Sequence, residues 1–212
     1  MATQQHTDEA EELNRREAEA LINRLRMTPL TWSELQTIIL SPNTDDLSKL
    51  ARSKEQTNTY RKSRTAIHNE WESIYDYILC TKFGFEWAEV EDTKKRRSTP
   101  TFQEYQQQKT TGEIQLKLCL NDFPYYFASG IQHWVLWKLG GVVTDDEILQ
   151  AKKDILIENS SHKLQIIEAD YTTAVNNQDT LLHWVNPPHL KSLPGIDHVH
   201  VLFNDSTGKS HL

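Results

Sequence analysis

Cysteine is scarce in this chain, and the two present, Cys80 and Cys119, lie in unlike contexts. That argues against a disulfide framework and points to free thiols in a reducing compartment. Glycine is scarce too, with seven in 212 residues. Gly140-Gly141 is a turn signal, and no glycine-rich loop of the kind that cradles phosphates is present. There is no HExxH pattern and no apolar run near the ~20 residues of a membrane span. The N-terminus, MATQQHTDEAEELNRREAEA, lacks the apolar core of a secretion signal. A net charge of −7 argues against broad binding to a phosphate backbone. These absences predict a cytoplasmic protein, with nuclear access left open, whose partners include neither nucleic acid nor membrane. No cofactor is implied.

What the chain has is enough apolar and aromatic material for a core, including six Trp and seven Tyr. Residues 1–27 read as a tail and a charged helix over 8–26, whose thin apolar face suits a protein partner or solvent. Thr31-Trp32-Ser33-Glu34 is a capping box that opens a helix ended by Ser41-Pro42. A short helical piece follows at 46–52. Tyr60, Ile67, Trp71, Ile74 and Ile78 draw one apolar stripe, which predicts a single helix from Lys54 to Cys80 stopped near Gly84. Residues 89–112, with Lys94-Lys95-Arg96-Arg97 and the Gln106–Gln108 run, read as a long polar loop. Its basic tetrad is a solvated patch or, alternatively, an import or anion signal.

The period then changes. Ile114, Leu116, Leu118 and Leu120 alternate with polar residues, as in a half-buried strand. Asn121-Asp122 before Phe123-Pro124 reads as an Asx turn. Strands are expected at 132–137, 181–185 and 198–203. A helix capped at Thr144 and Glu147 should reach Glu158, and a short one is expected near 164–169. The fold class is α+β, with an N-terminal helical half packed on a mostly antiparallel sheet half. One domain is expected over 28–205, divided into a helical part (28–88), a loop (89–112) and a sheet part (113–205), with 206–212 as a tail.

The chemistry-bearing residues are histidines. His198 and His200 lie two apart in an apolar strand and so share one face with Leu202, about 6.6 Å apart. Val199, Val201 and Phe203 form the better core face. The histidines then face water, a pocket or a covering helix. His133 and His183 stand in two further strands, and convergence depends on how the strands pair. A metal site would need a third ligand such as His133, His183 or Asp197, and no cysteine cluster supports one. Acid–base or nucleophilic work by an imidazole, and a purely structural role, are the other readings.

Four stretches together carry a resemblance: TWSELQTII (31–39), LARS through YDYIL (50–79), LNDFPYYFASGIQHWVLWK (120–138) and NPPHLKSLPGIDHVHVLF (186–203). The chain resembles the N-acetylglucosamine-induced protein 1-like family, known mainly from fungi, which implies no established activity. A weaker, partial resemblance is to the histidine-triad nucleotide hydrolases and transferases. It rests on Val185-Asn186 ahead of His198-Val199-His200, with Leu202 where a third histidine would stand. It implies His200 as nucleophile, His198 as its support and Asn186 near the ligand. With His133 and His183, these residues define the expected site. The expectation is a small phosphorylated or nucleotide-like ligand in a histidine-lined pocket, with weak or absent phosphohydrolase or transferase activity. The alternative is a regulatory or scaffold protein with no small-molecule site. Whether any reaction is catalysed stays open at this stage.

Overall fold

Alternation in four segments builds an antiparallel sheet. In the computed structural model, which describes residues 25–107, 115–159 and 173–205, the strands are β3 (Gln115–Leu120), β4 (Ile131–Leu139), β5 (Leu181–Trp184) and β6 (Asp197–Asn204). Their order is β3-β4-β6-β5. The N-terminal part supplies α1 (Trp32–Ile39), a 3-10 helix (Thr44–Lys49), α2 (Lys54–Glu70) and α3 (Ile74–Phe83). A hairpin of β1 (Glu86–Glu89) and β2 (Arg96–Thr99) and the short helix α4 (Phe102–Gln107) come next, and α5 (Asp145–Asn159) lies between β4 and β5. Helices and an antiparallel sheet make the architecture α+β.

Both faces of the sheet are covered. Trp134, Leu136, Val199, Val201 and Phe203 pack against Ile148, Ala151 and Ile155 of α5. This is the face that alternation marks as the core face, and each fully buried aliphatic side chain there contributes about 1.5–3 kcal/mol. The opposite face carries the histidines and is covered at two separate places. Leu182, Trp184 and Leu202 meet Leu35 of α1 and Leu47 of the 3-10 helix. Leu139 meets Ile78 and Leu79 of α3. The histidines lie between these two patches.

The expected capping boxes are present: Thr31 and Glu34 exchange side-chain and backbone bonds at α1, and so do Thr144 and Glu147 at α5. Asn121 Oδ1 accepts the Phe123 N–H at 2.9 Å, which is the Asx turn. Gly84 ends α3 with φ of 72°, a left-handed conformation that suits glycine.

Two expectations need correction. The single helix over Lys54–Cys80 is two helices. Trp71 is extended, and the Glu72 N–H bonds to the Arg96 carbonyl of β2 at 2.9 Å. Ser73 then opens a new helix, its hydroxyl accepting the Asp76 N–H. A side-by-side contact with β2 and a second N-cap outcompete helix propagation there. The polar loop over 89–112 is also structured in part. Glu86–Glu89 pairs with Arg96–Thr99, and Thr101 and Glu104 form a capping box for α4. Three of the four basic residues are ion-paired, Lys94 to Glu89 within this hairpin, and Arg96 to Glu70 and Arg97 to Glu72 at the end of α2. The expected helix over 164–169 and all of that over 8–26 except residues 25–26, which are not helical, lie outside the described residues, and with the latter goes the stretch expected to take a protein partner. No helix among the described residues is long and apolar enough to cross a membrane.

Candidate functional site

The register brings β4 and β6 histidines together. His133 stands opposite Leu202, Val135 opposite His200, and Trp137 opposite His198. All three imidazoles are buried. His133 Nε2 lies 3.0 Å from His200 Nδ1, and His200 Nε2 lies 3.2 Å from Asn186 Nδ2. The Trp184 indole N–H donates to Asn186 Oδ1 at 3.0 Å. Indole nitrogen only donates, so it fixes the Asn186 amide with its NH2 toward His200. His200 Nε2 is then an acceptor and its proton sits on Nδ1, donated to His133 Nε2. Both nitrogens of His200 are therefore engaged.

His198 is held differently. Its Nδ1 donates to the Ile196 carbonyl at 2.9 Å, leaving Nε2 as the nitrogen with a lone pair. Burial holds all three rings neutral. His133 is pushed down to about 3, with the Arg52 charge adding to the effect. His200 is driven well below its ordinary value by burial and then by its neighbouring imidazoles. His198 is lowered by burial, although its bond to the Ile196 carbonyl works the other way.

His133, His198, His200 and Asn186 thus come together, but His133 is not among the residues that line the cleft beside them. His183 does not join them. It pairs with Val201, so its side chain is on the α5 face, and it is exposed. Only strand order determines this, since Leu182 and Trp184, its neighbours, point to the histidine face.

His198, His200 and Asn186 line a cleft of about 280 Å³ between the sheet and α2. The sequence reading missed the residues of the far wall. Arg52 precedes α2, with its guanidinium 4.2 Å from the centre of the Tyr60 ring and 5.0 Å from that of Tyr125. One of its Nη groups donates to the Phe123 carbonyl at 2.7 Å, while its buried Nε has no partner among the described residues. Arg64 of α2 also reaches the cleft. Neither arginine makes an ion pair among the described residues, whereas Lys82 is bonded to Asp122 at 2.6 Å. Tyr60 and Ile67, which the stripe assigns to a core, line the cleft. The signal for this wall was the charge on the stripe's own flank. Arg64 follows Tyr60 by four residues on the same helical face.

Among the described residues, no group of three or more His, Cys, Asp or Glu side chains is placed to hold a metal ion. The arrangement instead offers a cation in a partly desolvated aromatic setting, beside neutral imidazoles with fixed tautomers. That combination suits recognition of an anion attached to a larger, less polar body.

A family model described as "Protein of unknown function (DUF3605)" matches residues 31–204. The chain is 26% identical over 186 residues to N-acetylglucosamine-induced protein 1 of Candida albicans, covering 85% of this chain and 70% of that one. It is also similar to a solved structure described as the crystal structure of HTC1, at 19% identity and a TM-score of 0.47, over 82% of this chain and 84% of the other.

Proposed function

We propose that this chain, which belongs to the DUF3605 family, binds a small phosphorylated or nucleotide-like ligand in the cleft between its sheet and α2. The observation that carries the reading is Arg52. Its guanidinium is packed by two tyrosine rings, has a buried Nε without a partner among the described residues, and meets no carboxylate there. A half-buried cation with no carboxylate partner is costly, and a phosphate at its guanidinium would supply the missing counter-charge. Charge-assisted bonds of this kind contribute about 1.5–3 kcal/mol each.

Catalysis is weak or absent in this reading. His200 has both nitrogens in hydrogen bonds, so its one lone pair, on Nε2, is directed at Asn186 and not at a ligand. A leucine, fully buried, stands at position 202, where the histidine-triad pattern has its third imidazole. His198 retains an unprotonated Nε2 and acts as a hydrogen-bond acceptor for the ligand.

A thermal-shift screen of nucleotides and sugar phosphates tests this. At least one compound should raise the melting temperature of the wild type and lose most of that effect in Arg52→Met. Met keeps an apolar stem between the tyrosines and removes the charge. The proposal fails if no compound stabilises the wild type more than the variant.

A further inference from the structure

We infer that the ligand is a nucleotide rather than a sugar phosphate, bound with its ring inward and its phosphate outward; this rests on the binding reading above. A second, more open outer compartment of about 640 Å³ adjoins the cleft. The two share a wall that includes Arg52, Tyr60, Arg64 and Tyr125.

Charge is divided unequally between them. The outer compartment adds Arg61 and the Thr57 hydroxyl, and among the described residues no carboxylate lines it. Thr57, Arg61 and Arg64 are spaced four and three apart, so one face of α2 presents them together. The inner compartment adds Ile67, Ile78, Val135, Leu193 and Trp137. Its additional cation, Lys82, is held by Asp122 at 2.6 Å. Its remaining polar groups include Asn121 and the neutral imidazoles of His198 and His200.

A phosphate driven into the inner compartment would lose water and gain no free cation beyond the shared arginines. A sugar placed there would bury several hydroxyls against Ile67, Ile78 and Trp137. A planar heterocycle meets neither problem. It has aromatic and aliphatic surfaces to lie on, and an exocyclic amino or ring N–H can donate to His198 Nε2. The phosphate then lies in the outer compartment, which Arg52, Arg61 and Arg64 all line.

Titration calorimetry on the full chain tests the assignment with AMP, GMP, CMP and UMP, the matching nucleosides, and ribose 5-phosphate. The tightest nucleotide should bind at least tenfold more strongly than ribose 5-phosphate. Arg61 is exposed, so Arg61→Ala leaves the fold intact. It should weaken nucleotide binding about tenfold and leave nucleoside binding unchanged. If ribose 5-phosphate binds as tightly as the best nucleotide, the ring assignment is wrong while the binding reading stands. If Arg61→Ala weakens nucleoside and nucleotide alike, or neither, the orientation is wrong. If none of these compounds binds but another phosphorylated compound does, the nucleotide inference alone fails. Loss of all phosphorylated ligands removes the binding reading and the inference together.

Discussion

Acid should loosen this protein through the His133–His200 pair. In the unfolded chain His133 takes up a proton near its ordinary value of 6.5, whereas in the fold it resists until about 3 because it is buried, with Arg52 nearby. Between those values the unfolded state binds more protons. The stability is therefore fully present above about pH 6.5 and is lost as pH falls. Each pH unit below that point removes about 1.36 kcal/mol. From about pH 7.5 to about pH 4.5 the loss from His133 alone is about 2.7 kcal/mol, a large share of the 5–15 kcal/mol typical of a domain. The geometry gives the cause. Only one proton fits between His133 Nε2 and His200 Nδ1 at 3.0 Å, and a second would set two cations side by side. Gln at 133 accepts the His200 N–H through its amide oxygen and does not titrate. Urea unfolding across the pH range should show the wild type losing about 2.7 kcal/mol more than His133→Gln over that interval. Parallel acid profiles for the two proteins would refute the reasoning.

Two further outcomes follow from the same cluster. Imidazole nitrogen NMR should find both His198 and His200 neutral and protonated at Nδ1 at about pH 7; an Nε2–H on His200 would break the bond order that runs from Trp184 through Asn186. Replacing the fully buried Leu202 with His should cost about 2–4 kcal/mol in chemical unfolding without creating a nucleotide hydrolase, because the new ring enters the apolar contacts of Leu182 and Trp184. Unchanged stability together with new hydrolysis would mean that the site lacks only its third imidazole.

Local pattern carried much of this fold. Alternation told which residues of β6 share a face, and capping boxes located the starts of α1 and α5. Contacts distant in sequence were less accessible. The break after Glu70 depends on the Arg96 carbonyl of a later strand, although Ser73 and Asp76 already offered a cap. The meeting of His133 with His200 depends on β4 lying beside β6. Position 183 fell on the other face once Leu181 paired with Phe203. Arg52 was hidden for another reason. A single arginine at the end of a short helical stretch looks like surface charge until two tyrosines, one of them seventy-three residues away, enclose it.

α2 runs for seventeen residues and buries none of them completely. Its ends are tied by the Ser53–Gln56 cap and by the bond of Glu72 to Arg96, and between them Tyr60 packs on Arg52 and Phe123 while most other side chains are exposed. Substitutions at its exposed positions therefore cost the fold little. The solvent side of this helix can therefore change without disturbing the imidazole–amide chain on the sheet beneath it.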